Sequence, residues 1–143
     1  MLSKTITLRV PATFEGSRDA ATSVREFLNQ LSVRPGHAAR FELVVAESVD
    51  NIAGHARCDE DGVVDISVVA DPEALRIVIR DDATASDTDG LNTFMSIQET
   101  QHESWEGGRG IQLIRRIMDK VVYTRERDRN VLTMSAKLKE GAL

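Results

Sequence analysis

The 143-residue chain contains one cysteine, Cys58. No disulfide can form within it, its stability has to come from packing, and a reducing compartment suits it best. Aromatic residues make up 4% of the chain, so Val, Ile, Leu and Ala have to fill the core. No apolar run approaches the roughly 20 residues needed to cross a bilayer. Residues 1–11 alternate in polarity and lack the continuous apolar centre of a signal peptide. A cytoplasmic protein with no membrane partner is expected. Positive charge is short too: 18 Lys and Arg stand against 23 Asp and Glu, for a net charge of -5. That balance gives no electrostatic footprint for a nucleic-acid backbone, so a protein or small-molecule partner is expected and direct nucleic-acid binding is not.

The composition that remains, 41% hydrophobic and 29% charged, is that of a folded globular domain. Its length suits one domain over residues 1–143. Thr5 to Val10 reads as a strand stopped by Pro11, placed at a sheet edge. Ala20, Ala21, Val24, Phe27, Leu28 and Leu31 recur at helical spacing, and Pro35-Gly36 closes that segment. A second helix runs from about Gly36 to His55, with Phe41, Val45, Val49 and Ile52 as its apolar stripe. The period then changes to two. Val64, Ile66 and Val68, then Leu75, Ile77 and Ile79, predict a hairpin turning at Asp71-Pro72-Glu73. Residues 83–107 lose periodicity and read as a lid or binding loop, in which Thr93 to Ile97 suggests a short helical piece and Trp105 an anchor or a partner contact. Ile111 to Met118 restores helical spacing. Val121 to Arg125 and Val131 to Leu138 form a last hairpin across residues 127–130. The order β-α-α-β-β-loop-α-β-β predicts an α+β two-layer sandwich, with helices on one face of a mixed, largely antiparallel sheet.

Three features bear on chemistry, and each has a plain structural reading beside its functional one. Glu47, Asn51 and His55 lie four residues apart and so stack on one side of a helix, either as a solvated edge or as a pocket wall. Asp81-Asp82 follows a strand, as a turn or as an acceptor for a ligand. Gly107-Gly108-Arg109-Gly110 precedes a helix, as a flexible lead-in or as a phosphate cradle with Arg109 beside it. Taken together they suit a nucleotide. The glycines expose backbone N–H groups to phosphate, Asn51 offers a neutral oxygen to Mg²⁺, and Glu47 would orient or deprotonate an attacking hydroxyl. Asp81 would accept from an adenine amino group. His37, His55, Cys58 and His102 show no zinc spacing. Asp119 reads as the end of the last helix.

The stretch AESVDNIAGHA resembles the N box of the Bergerat-fold ATPases, the superfamily of gyrase, Hsp90, histidine kinases and MutL. The short chain and the run GGRGIQLIRRIMDKVVY resemble, within it, the anti-sigma-factor serine kinases of bacterial partner switching. The resemblance implies ATP and Mg²⁺ as cofactors, with Glu47 as catalytic base, Asn51 as the Mg²⁺-binding residue and Asp81 as the adenine reader. It implies Gly108 and Gly110 at the phosphates and the 83–107 loop as an ATP lid. It further implies phosphorylation of a serine on an antagonist protein, sequestration of an alternative sigma factor, and a homodimer.

The chain departs from that pattern in two places. Where the family has Asp-x-Gly-x-Gly, it has Asp81-Asp82-Ala83-Thr84-Ala85. Where a Gly-Thr pair is expected in the last hairpin, it has Asn130-Val131, with Asn130 expected at a left-handed turn position. An alanine forced into a left-handed conformation costs on the order of 1 kcal/mol, so weaker ATP binding is expected. The alternative reading is a non-catalytic partner-binding module on the same fold.

Overall fold

A computed structural model describes residues 3–55, 62–82 and 106–138. Eight elements follow in chain order: β1 (Lys4–Pro11), α1 (Phe14–Gln30), α2 (Pro35–His55), β2 (Val63–Ala70), β3 (Ala74–Asp81), α3 (Glu106–Ile117), β4 (Lys120–Glu126) and β5 (Arg129–Lys137). The order is the one the periodicities predict. The strands form one five-stranded sheet, β1-β2-β3-β5-β4, in which every neighbouring pair is antiparallel, so the sheet is uniform where a mixed one was allowed for. β1 takes an edge and ends at Pro11, whose missing N–H removes it from a ladder interior.

The period of two sorts each strand into two faces. Val64, Ile66 and Val68 of β2, Leu75, Ile77 and Ile79 of β3, and Leu132, Met134 and Ala136 of β5 all point into the core. Register sets Ile79 opposite Leu132 and Ile77 opposite Met134. The same parity carries Asp81 and Asn130 onto this inner face, opposite each other at the end of the β3–β5 ladder. On the other face Asp65 accepts from Arg9 Nε at 2.7 Å and from the Arg129 guanidinium. The Arg9 hydrogen bond first, and then Arg129, hold its carboxyl below the usual carboxylate range.

The helices cover the apolar side. Ala20, Val24 and Leu28 of α1 and Phe41, Val44, Val45, Val49 and Ile52 of α2 are buried in the same cluster as the strand residues. α1 starts at Thr13, whose Oγ1 accepts from the Gly16 N–H at 3.0 Å and so satisfies one of the free donors of the first turn. Gly16 is where α1 meets the end of β1; a Cβ there would collide with the Pro11 carbonyl oxygen and lie 3.0 Å from its carbon. α1 stops at Leu31. Ser32 takes a φ of 63°, and the Val33 N–H reaches back to the Leu28 carbonyl at 3.1 Å, closing the last turn with a left-handed residue. In α2 the buried Ser48 hydroxyl donates to the Val44 carbonyl at 2.7 Å, so the core accepts it without an unpaired polar group.

Three local expectations change. The last hairpin turns at Arg127-Asp128, with the left-handed φ of 54° at Arg127, and Asn130 is a strand residue with an inward side chain. Gly108, Arg109 and Gly110 lie within α3 from its first turn rather than ahead of it. Asp119 falls past the end of α3 and joins the sheet, where its N–H donates to the Ser135 carbonyl at 2.9 Å and its Oδ2 accepts from the Lys137 N–H at 2.7 Å. The expected lid over residues 83–105, with Ala83, Ala85, the Thr93–Ile97 piece, His102 and Trp105, lies outside the described residues, as does Cys58.

Candidate nucleotide site

α2 builds one wall of the site. Val45, Val49 and Ile52 fix one stripe of the helix in the core, and that leaves Glu47 and Asn51, on the adjoining stripe, half-buried at its edge. The row lies at the boundary its spacing predicts. Glu47 is raised from its ordinary pKa, first by desolvation and then by the neighbouring Asp50 carboxylate. Among the described residues no hydrogen bond or ion pair reaches its carboxylate, so the partial burial is uncompensated. Desolvation makes a carboxylate more basic, as proton abstraction requires.

α3 meets this wall at Gly110. A Cβ on Gly110 would fall well inside contact distance of Glu47 Oε2, 3.3 Å from Glu47 Cδ and 3.6 Å from Asn51 Nδ2. Only hydrogen in place of a side chain lets the two helices approach at this point. One glycine of the run is thereby brought together with both residues of the α2 row. Gly108 and Arg109 precede it in the first turn of α3, where the N–H groups of a helix lack intrahelical acceptors.

Asn51 Nδ2 is buried and has no hydrogen-bond partner. An unpaired buried donor costs about 1–3 kcal/mol, and a ligand that accepts from it recovers that cost. Among the described residues no group of three or more His, Cys, Asp and Glu gathers to hold a metal. The donor set therefore fits a hard cation that takes most of its oxygens from phosphates and water, with the Asn51 amide oxygen as its protein ligand.

Asp81 stands apart from that wall, at the end of β3. It is only 2% exposed, and its Oδ1 accepts from Asn130 Nδ2 at 2.9 Å. Asn130 is fully buried, and its Oδ1 accepts in turn from the Arg125 guanidinium at 2.9 Å. Sequence reasoning singled out Asp81 but missed this chain. Its signal was the alternation Leu132, Met134, Ala136, which, extended backwards by two, puts Asn130 on the inner face.

A uniform antiparallel sheet, covered on one face by helices, one of which carries a Glu–Asn row met by a glycine-bearing helix, defines an ATPase-type fold. The chain belongs to the family of histidine kinase-like ATPase domains, which it matches over residues 10–136. No curated protein matches its sequence. Among solved structures it resembles a chain of the SiaB–SiaC complex from Pseudomonas aeruginosa, with a TM-score of 0.66 at 13% identity, over 92% of this chain and 89% of that one. It also resembles the structure of the RsbU and RsbW domains of Rv1364c from Mycobacterium tuberculosis, with a TM-score of 0.64 at 13% identity, over 93% of this chain and 32% of that one. The histidine kinase domain of the blue-light-activated kinase EL346 from Erythrobacter litoralis superposes with a TM-score of 0.53 at 21% identity, over 92% of this chain and 63% of that one. At these identities the likeness is one of fold. No described helix is long and apolar enough to cross a membrane.

Proposed function

We propose that the chain is an ATP-dependent serine-protein kinase of the anti-sigma type, a single domain that phosphorylates an antagonist protein in a bacterial partner-switching pathway. The observation that carries this reading is the meeting of Gly110 with Glu47 and Asn51, which joins a basic carboxylate, a cation-seeking amide and a helix N-terminus in one place. The family match supports ATP as the nucleotide. The fold likeness to a chain of the SiaB–SiaC complex and to the RsbU–RsbW structure supports a protein partner.

The roles follow from the chemistry of each group. Asp81 accepts from the adenine amino group at the far end of the site. The first turn of α3, with Gly108, Arg109 and Gly110, faces phosphate oxygens with free N–H groups and the positive end of the helix dipole. Asn51 gives its amide oxygen to Mg²⁺ and its N–H to an acceptor on the nucleotide. When bound, Mg·ATP supplies the transferable γ-phosphoryl group and ADP as leaving group. Glu47 takes the proton of the substrate serine as its oxygen bonds to the γ-phosphorus and the bond to ADP breaks. Closure of the lid at 83–107 excludes water from the reacting groups. The same chain sequesters an alternative sigma factor when its antagonist is absent, and acts in the cytoplasm as a homodimer.

The experiment is transfer of radiolabelled γ-phosphate to a candidate antagonist, with ATP binding measured alongside. Wild type labels the antagonist, and Glu47→Ala binds Mg·ATP but does not transfer. Wild type that binds a partner tightly and Mg·ATP not at all would instead establish the non-catalytic module.

A further inference from the structure

In a nucleotide site the group that reads the base has to present the right hydrogen-bond polarity, and a buried carboxylate does not do so unaided. A carboxyl left without a partner in a low-dielectric setting takes up a proton and becomes a donor at one oxygen. Adenine offers a 6-amino donor and guanine a 6-oxo acceptor. The protonation of Asp81 therefore decides which purine fits.

Three side chains settle that polarity. Arg125 carries donors only, so the oxygen of the Asn130 amide has to face it. The amide nitrogen then faces Asp81, and flipping the amide would set its oxygen against a carboxylate, acceptor to acceptor. Asn130 is 0% exposed and Asp81 2%, so water does not stand in for either bond. The cross-strand pairing of Asp81 with Asn130, and of Asn130 with Arg125, holds all three in register.

We propose that Asn130, oriented by Arg125, is a positioning residue that keeps Asp81 an acceptor and so makes the site selective for 6-amino purine nucleotides over 6-oxo ones. The assignment rests on the reading of this site as a nucleotide pocket. It also gives Asn130 a function at the position where the resemblance implies a Gly-Thr pair: an amide N–H supplies directly the donor that such a site needs beside its aspartate.

The test is calorimetry of Mg·ATP and Mg·GTP on the full chain, for wild type, Asn130→Leu, Arg125→Met and Asn130→Thr. Wild type is expected to prefer ATP. Asn130→Leu, similar in size but without a donor, is expected to lose ATP affinity by roughly ten- to a hundredfold, the scale of a hydrogen bond to a charged group. Its GTP affinity changes less, so the ATP:GTP ratio collapses. Arg125→Met lowers the ratio in the same direction, and Asn130→Thr, which restores a donor, recovers part of the preference. Wild type that binds both nucleotides equally, or a folded Asn130→Leu that keeps the wild-type ratio, overturns the assignment and leaves the nucleotide site standing. Wild type that binds neither nucleotide overturns the site itself and the assignment with it. Should Asn130→Leu fail to fold, the ratio in Arg125→Met decides, and an unchanged ratio there sinks the proposal.

Discussion

Gly110→Ala separates stability from activity. Within α3, alanine is a better helix former than glycine by about 0.5–1 kcal/mol. Against that gain stands the new methyl group, which would overlap Glu47 Oε2, lie 3.3 Å from Glu47 Cδ and rest at an ordinary 3.6 Å from Asn51 Nδ2. The obstructing atom is the tip of a flexible side chain. Rotation of the Glu47 carboxylate by about 1 Å relieves the overlap at little cost to the fold, while a displacement of that size at a reacting group costs on the order of a hundredfold in rate. The variant is therefore expected to melt within about 3 °C of wild type, or above it, and to transfer phosphate on the order of a hundred times more slowly. Its Mg·ATP affinity falls less than its rate, because Asn51 stays at normal contact. Calorimetric melting and single-turnover transfer to the antagonist are the two measurements. A folded variant that transfers at the wild-type rate refutes the placement of the Glu47 carboxylate at the reacting hydroxyl. A stability loss well beyond 1 kcal/mol refutes the claim that only a side-chain tip opposes the methyl group.

Three further substitutions probe other parts of the molecule. Glu47→Gln abolishes transfer but stabilises: the folded-state pKa of Glu47 is raised, so its ionised form weakens the fold above that pKa and is neutral below the ordinary carboxylate range. Because the group is half-exposed the gain is only about 0.5 kcal/mol, or ~2 °C at pH 8, vanishing near pH 4, which melting at the two pH values checks. Gly16→Ala meets backbone rather than a flexible tip, since the added methyl would collide with the Pro11 carbonyl; a loss of about 2 kcal/mol is expected in urea unfolding. The Asp65 carboxyl is lowered by Arg9 and then Arg129, so its contribution is present above the unfolded carboxylate pKa and lost as pH falls through the lowered folded value. Asp65→Asn is accordingly less stable than wild type at neutral pH and equal to it in strong acid, as paired denaturation curves at the two extremes measure.

Element order was legible because each period held over enough residues to distinguish helix from strand, as in Phe41 to Ile52 and Val64 to Ile79. The Glu47–Asn51 row was legible as a boundary because its offset from the apolar stripe follows from helix geometry alone. What sits opposite that row was not legible. Glycine has poor helix propensity, so the run at 107–110 reads as a lead-in, whereas in the fold it continues α3 and Gly110 admits α2 at close range. Thr13 and Gly16 escaped notice for a related reason: a cap and a close approach leave no periodic trace. Asn130 was misplaced because a hairpin register is undetermined to one residue until the turn is known, and a slip of one exchanges the faces.

The buried Ser48 lies between Glu47 and Val49, and its hydroxyl approaches the Met134 sulfur at 3.9 Å. Through that contact the centre of the sheet touches the helix turn that aims the Glu47 carboxylate. Volume changes at Met134 will register as altered phosphoryl-transfer rates before they register as unfolding. In this chain, then, the middle of β5 is part of the enzyme's adjustment, and variation tolerated there by stability alone will still be filtered by the reaction.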